Sequence, residues 1–489
     1  MSHLMTKLVE HAEQRPDALA LDDGARQLSY RDLLLAVEAL AKVLALLPDK
    51  ALALQADNGI DWVLTDLAAI SLQKTLIPIP HFFSAEQLRF VLERTGVRTL
   101  LCQEPLALPE DKWRLNIPHL TCTLQGYQFE GLNTNATSPP EGCAKVTFTS
   151  GSTGHPKGVC LSQEHMESVA MSLLDTTEAR PDDRHLCLLP MATLLENLAG
   201  IYLPLMAGAT CLVPPLAKTG LQGSSSLDVT RQLACLSETR ATSAILVPQM
   251  LLAQLSAFRA GLPCPSDLRF VAVGGGRVSP TALKEARAFG LPVFEGYGLS
   301  EAASVVSLNT PQYAQPGGVG RALPHVSLQL AEDGEILIEN SPFLGYLGEP
   351  ARDKSSFATG DIGRLDEAGF LQIIGRKKHL FISSFGRNIS PEWVESECQT
   401  LTGIRQIAVF GDGRPFMVAV VVPMPGTSAL DIDHQIDQAN FRLPDYARIR
   451  RWTTATRPFT ADNGQLTTNG RLRRDQIFAA YADQIAALY

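Results

Sequence analysis

Thr149-Ser150-Gly151-Ser152-Thr153-Gly154-His155-Pro156-Lys157-Gly158 carries four hydroxyls in its first five positions, and three glycines and one lysine in all. Residues this small let many backbone N–H groups converge on one anion. The hydroxyls add donors and Lys157 adds a neutralising charge, so the stretch is suited to wrap a polyphosphate. Its flanks, Ala144-Lys145-Val146-Thr147-Phe148 and Val159-Cys160-Leu161, predict strands on either side. A flexible Ser/Gly linker would not sit between such strands or contain Pro156-Lys157-Gly158. A Walker loop is excluded, because no Gly-Lys dipeptide occurs anywhere in the chain.

Further motifs follow downstream. Phe270-Val271-Ala272-Val273 runs into Gly274-Gly275-Gly276, where a ligand can approach the backbone closely. Glu295-Gly296-Tyr297-Gly298-Leu299-Ser300-Glu301 offers an aromatic face for a base and hard carboxylate ligands for Mg²⁺. Thr359-Gly360-Asp361 comes next, and Ile373-Ile374-Gly375-Arg376-Lys377-Lys378 begins twelve residues after Asp361. Singly, these read as a loop, a turn, a hairpin and a solvated charge run. In this order and at these intervals they resemble the adenylate-forming superfamily of acyl-CoA synthetases, luciferases and peptide-synthetase adenylation domains. In motif style the chain is similar to the fatty-acid-activating acyl-CoA synthetases. The resemblance extends from Leu28-Ser29-Tyr30-Arg31-Asp32 to Gly470-Arg471-Leu472-Arg473-Arg474.

The resemblance implies an ATP- and Mg²⁺-dependent ligase that turns a carboxylic acid into its acyl-adenylate and passes it to a thiol, either CoA or a carrier-protein phosphopantetheine. It assigns Thr149, Ser150, Gly151, Ser152, Thr153, Gly154 and Lys157 to the phosphates, and Glu301 with Thr149 to Mg²⁺. Ser300 would bond the α-phosphate. Tyr297, within Glu295-Gly296-Tyr297-Gly298, would support adenine, and Gly275 and Gly276 would border adenine and the acyl pocket. Asp361 and Arg376 would hold the ribose, Lys378 would be a hinge, and Gly386 would line the thiol channel. An acyl carrier protein is a conceivable partner on this basis.

Two positions depart from the family pattern. In Pro190-Met191-Ala192-Thr193-Leu194-Leu195-Glu196, Met191 stands where amino-acid-activating members carry an ammonium-pairing aspartate, and Thr193 where fatty-acid-activating members carry histidine. Met191 cannot pair with an ammonium, so an apolar, non-amino acid such as a fatty acid is expected. The second departure is Arg471, at the position of the family's catalytic lysine; no lysine occurs after Lys378. Arginine keeps the charge but has a wider, planar head. Two outcomes stay open here, functional replacement or a silent acyl-adenylate- or nucleotide-binding protein. An intramolecular hydroxyl acceptor also remains open.

Composition bounds the rest. A chain of 489 residues that is 45% hydrophobic is too long for one core. Net charge −9 argues against nucleic acid. Nine scattered cysteines without a Cys-x-x-Cys pair suggest reduced thiols in a cytoplasmic protein, not a zinc site or disulfide framework. The N-terminus lacks a signal-peptide pattern. The apolar span 186–217 is broken by Pro190, Pro204, Pro214 and Pro215, so it reads as core and no transmembrane segment is expected. Helical and strand patterns alternate through the first hundred residues and again over 240–310, which predicts layered α/β architecture. The expected domains are 1–376, large and α/β, binding ATP and acid, and 377–489, small, α+β and mobile, rotating between half-reactions. Residues 219–226 read as a mobile surface loop.

Overall fold

The computed structural model describes residues 2–103, 124–129, 137–149, 157–223, 226–350, 352, 355–384, 387–399, 401–467 and 470–489. Two large sheets dominate residues 1–350. The nine-stranded sheet has a run of parallel strands at its centre: Val293–Tyr297, Phe270–Val273, Ser243–Leu246, Arg184–Leu186, Thr210–Leu212 and Leu19–Asp22, in that spatial order. One face packs on the helices Pro248–Arg259 and Pro280–Ala288 through Leu246, Val271, Val273 and Val293. The other packs on the helices Gln163–Thr177 and Leu203–Ala207 through Cys187, Cys211, Phe270 and Phe294. Parallel strands covered on both faces read as apolar runs, which is why the sequence betrays them as strands.

The seven-stranded sheet carries the start of the phosphate-type loop. Its strands Cys143–Thr149 and Lys157–Ser162 pair antiparallel, with Thr149 opposite Lys157. The predicted strands are therefore present, but Ser150, Gly151, Ser152, Thr153 and Gly154 lie outside the described residues. Thr75–Pro80 runs parallel to Ala51–Ala56 along its full length, yet registers with the strand Cys143–Thr149 only at Leu76 and Lys145. Pro78 and Pro80 have no N–H to donate on that side. A buried network compensates: Lys145 Nζ lies 2.8 Å from Asp66 Oδ1 and 3.1 Å from the Tyr202 hydroxyl, and also bonds Asn197. This anchors the strand entering the loop to the helix Ile60–Ser71 and to the π-helix Leu198–Tyr202.

The helix ends follow side-chain chemistry. Ser29 accepts from Asp32 N–H to start Tyr30–Leu44, and Ser84 with Gln87 forms a capping box before Ala85–Thr95. The apolar span 186–217 folds into two strands and a helix that widens to π geometry at Leu198–Tyr202. Among the described residues no helix is long and apolar enough to cross a membrane. In the segment expected as a mobile loop, Leu221–Gln222 pairs with Ser226–Leu227. Gly220 allows it, since a Cβ there would sit 2.3 Å from the Asp228 carbonyl.

An antiparallel four-stranded sheet, 327–376, follows, and beyond it the architecture changes. Ile404–Phe410, Met417–Pro423 and Ile449–Thr454 make a three-stranded sheet, with one apolar cluster drawn from residues 381–449 and another from 408–489. The helix Pro391–Cys398 starts as its sequence indicates, with Ser390 Oγ accepting from Trp393 N–H. Among the described cysteines, Cys143, Cys160, Cys187, Cys211, Cys235, Cys264 and Cys398 are free thiols.

Candidate active site

The loops at the carboxyl ends of the large sheet's parallel strands and the underside of residues 377–489 enclose a cleft of about 2340 Å³. Ligands in open α/β sheets bind at this end of the strands. Thr149, Lys157, Gly275, Gly276, Glu295, Gly296, Tyr297, Gly298, Ser300, Glu301, Asp361, Arg376 and Arg471 all line it. Gly386 lies outside the described residues.

Asp361 is the hub of one wall. Tyr297 donates its hydroxyl to Asp361 Oδ2 at 2.6 Å, and Arg376 Nε lies 3.0 Å from Oδ1. Asp361 and Arg376 face each other across a strand pair, and Arg376 also donates to the Thr359 carbonyl. Burial pushes the Asp361 carboxyl up from its ordinary value, while Arg376, Tyr297 and Arg471 act the other way. Gly298 permits the tight passage beside Tyr297, since a Cβ there would meet the Ser304 carbonyl oxygen at 1.6 Å.

A second group forms around Glu301, on the short 3₁₀ turn Ser300–Ala302. Tyr346 donates its hydroxyl to Glu301 Oε1 at 2.7 Å, and Lys157 Nζ sits 4.5 Å from the centre of the Tyr346 ring. Lys157 also faces Glu349 Oε1 at 3.5 Å. Tyr346 was not foreseen. It follows Gly345 in a two-residue strand paired with Val159 and Cys160, and so short an element has no pattern to read. Thr149 Oγ1 lies 3.5 Å from the Lys157 carbonyl.

The Glu295 carboxylate is committed to the wall. Its Oε1 accepts from Val278 N–H at 3.3 Å, and burial pushes its pKa up to about 7 despite Arg277 nearby. Gly275, in the left-handed region at φ +80°, turns its carbonyl to Arg471, whose Nε and Nη2 donate to it at 3.1 and 2.6 Å. This contact carries a residue singled out in the sequence from 377–489 into the cleft. Lys378 joins it: burial, Arg376 and Lys157 together lower the ammonium's pKa from its ordinary value. Lys157, Arg376, Lys378 and Arg471 thus gather positive charge in a chain of net charge −9, a field that favours a polyanion.

Met191 corrects a sequence expectation. It is 1% exposed within the main apolar core, with its N–H donated to Asn58 Oδ1. Its neighbours Pro190, Ala192 and Thr193 line the cleft and Met191 does not, so the case against an amino-acid substrate cannot rest on it.

A family model described as AMP-binding enzyme matches residues 8–347, and one described as AMP-binding enzyme C-terminal domain matches 379–489. The chain belongs to the adenylate-forming AMP-binding enzymes. The long-chain-fatty-acid–CoA ligase FadD15 of Mycobacterium bovis is 26% identical over 88% of this chain and 86% of its own length. The indoleacetate–CoA ligase of Aromatoleum aromaticum is 27% identical over 96% of each. The anthranilate CoA ligase AuaEII, solved in complex with anthranoyl-AMP, superposes with a TM-score of 0.80 at 20% identity, covering 99% of this chain and 98% of that one. This AMP-binding enzyme is accordingly an AMP-forming ligase in class, with the mixed α/β fold of the family.

Proposed function

We propose that the enzyme activates an apolar, non-amino carboxylic acid, a fatty acid foremost, as its acyl-adenylate and transfers the acyl group to CoA. The observation that carries the acid class is the lining of the cleft's inner branch. There Leu173, Leu195, Ala199, Leu203, Phe270 and Ala272 converge between the large sheet and its helices, a lining suited to an apolar chain. CoA is the proposed thiol because the curated relatives are named CoA ligases.

The acid's carboxylate oxygen would attack the α-phosphorus of ATP; the bond to the bridging oxygen breaks and pyrophosphate leaves. The CoA sulfur would then attack the acyl carbonyl, its proton passing to solvent, and AMP leaves. Such phosphoryl steps are catalysed by positioning and charge neutralisation. Lys157, with the loop 149–154, would neutralise the phosphates. Tyr297 would support adenine, and Asp361 with Arg376 would orient the ribose. Among the described residues Glu301 accepts one hydrogen bond, from Tyr346, so its second oxygen is available to a hard cation. Mg²⁺ held there and at Thr149 would supply further neutralisation of the phosphates. Arg471 would enter from residues 377–489 during adenylation, and that domain would rotate about Lys378 to admit the thiol near Gly386. The free thiols Cys143, Cys160, Cys187, Cys211, Cys235, Cys264 and Cys398 support a cytoplasmic enzyme.

Pyrophosphate exchange into ATP, run with a panel of acids, tests the proposal. Fatty and other apolar acids should stimulate exchange, and free α-amino acids should not; stimulation by amino acids alone would overturn it.

A further inference from the structure

The inner branch of the cleft has a polar floor that the proposed chemistry does not use. His185, Ser243 and Phe270 are neighbours across three parallel strands, as are Ile245 and Ala272 one layer nearer the nucleotide end. Ser243 and Ala272 lie on inner strands of a sheet covered by helices on both faces, yet each remains partly accessible, because the channel runs past them. Ser243 Oγ is 3.0 Å from His185 Nδ1, and His185 Nε2 is 3.0 Å from Glu196 Oε1. Glu196 has no solvent exposure, and its other oxygen accepts from Leu189 N–H at 2.9 Å.

In the neutral tautomer that donates Nε2–H to a Glu196 carboxylate, the bare Nδ1 of His185 accepts from the Ser243 hydroxyl. In that tautomer Ser243, on the channel lining, keeps its lone pairs for a donor. The scaffold is shaped around this relay. A Cβ at Gly200 would sit 2.3 Å from Glu196 Oε1 and 2.9 Å from His185 Nε2, and Gly200 lies within the π-helical turn Leu198–Tyr202. An acceptor in an apolar channel is costly unless the ligand answers it.

We propose that Ser243, oriented by His185 and Glu196, reads a hydroxyl carried far along the acyl chain, so that the preferred substrate is a hydroxylated fatty acid. This rests on the acyl-adenylating reading above. Val247, the extended residue just past the nucleotide end of the strand Ser243–Leu246, is four positions from Ser243, about 13 Å at a strand's rise of roughly 3.3 Å per residue. A hydroxyl beside the carboxylate cannot reach Ser243, and neither can an acid of one small ring. A remote hydroxyl on a chain can.

The test is pyrophosphate exchange with fatty acids hydroxylated at successive positions, against unsubstituted acids of equal length. The wild type should favour a remote hydroxyl by about tenfold or more in kcat/KM, the scale of one buried hydrogen bond. It should show no preference for a hydroxyl next to the carboxylate. Ser243→Ala should bring the remote-hydroxyl ratio to about one, and Ser243→Thr should restore it, which a merely structural serine would not do. Wild-type exchange equal or better with unsubstituted acids overturns the inference and leaves the adenylation reading standing. So does a ratio that survives in Ser243→Ala. Exchange with no acid of any kind overturns both.

Discussion

Lys157, Tyr346 and Glu301 make the tightest test of the phosphate end, because each touches the next. On the proposed roles, Lys157→Ala should lower pyrophosphate exchange by about 10²-fold or more, the scale for one preorganised electrostatic contact. The melting temperature should barely move, since Lys157 is half-exposed and its ion pair with Glu349 is a surface one. Tyr346→Phe keeps the ring under Lys157 and removes the hydroxyl that holds Glu301. It should raise the Mg²⁺ concentration needed for half-maximal exchange, and an unchanged Mg²⁺ requirement would separate Tyr346 from the metal site. The sequence disclosed Lys157 and Glu301 because they sit in dense runs of small residues with chemical meaning. Tyr346 was invisible because its position depends on a two-residue strand pairing with a partner nearly two hundred positions away. Met191 misled for the opposite reason: a motif match placed it at the pocket, and packing places it in the core.

At the scale of elements, the strand Val293–Tyr297 serves both fold and site. Its Tyr297 end reaches Asp361, while Glu295, 4% exposed, braces Val278 just ahead of the helix Pro280–Ala288. With its folded pKa pushed up to about 7, Glu295 holds a proton that the unfolded chain releases near its ordinary value. Stability from this group is therefore greatest below pH 4.5 and declines as pH rises toward 7. Glu295→Gln should remove that decline, raising the melting temperature at pH 8 by a few degrees relative to wild type and much less at pH 5. Equal shifts at both pH values would show that the carboxyl does not titrate in this window. The short apolar runs made such strands legible, and Ser390-Pro391 marked a helix start. The π-helix at Leu198–Tyr202 was not legible, because no local pattern marks it; Gly200 within it packs where a Cβ would meet Glu196 and His185.

Across the whole molecule, the decisive contact is Arg471 on the Gly275 carbonyl, which brings residues 377–489 over the nucleotide end of the cleft. If this is the adenylating arrangement, Arg471→Ala should depress exchange strongly while leaving acyl transfer from a supplied acyl-adenylate to CoA nearly intact. Rapid-quench measurement of the two half-reactions checks this. Equal loss in both, with the protein folded, would make Arg471 a support between domains. The motifs made the family legible from sequence, but whether arginine could stand in for the usual lysine depended on where the small domain sits, which no local pattern encodes. The central claim, AMP-forming ligation of an apolar acid to CoA, is tested most directly by quantifying products from ATP, CoA and a fatty acid. The account predicts AMP, pyrophosphate and acyl-CoA in equal amounts, all dependent on the acid. ADP as the nucleotide product, or AMP formed without acyl-CoA, would contradict it.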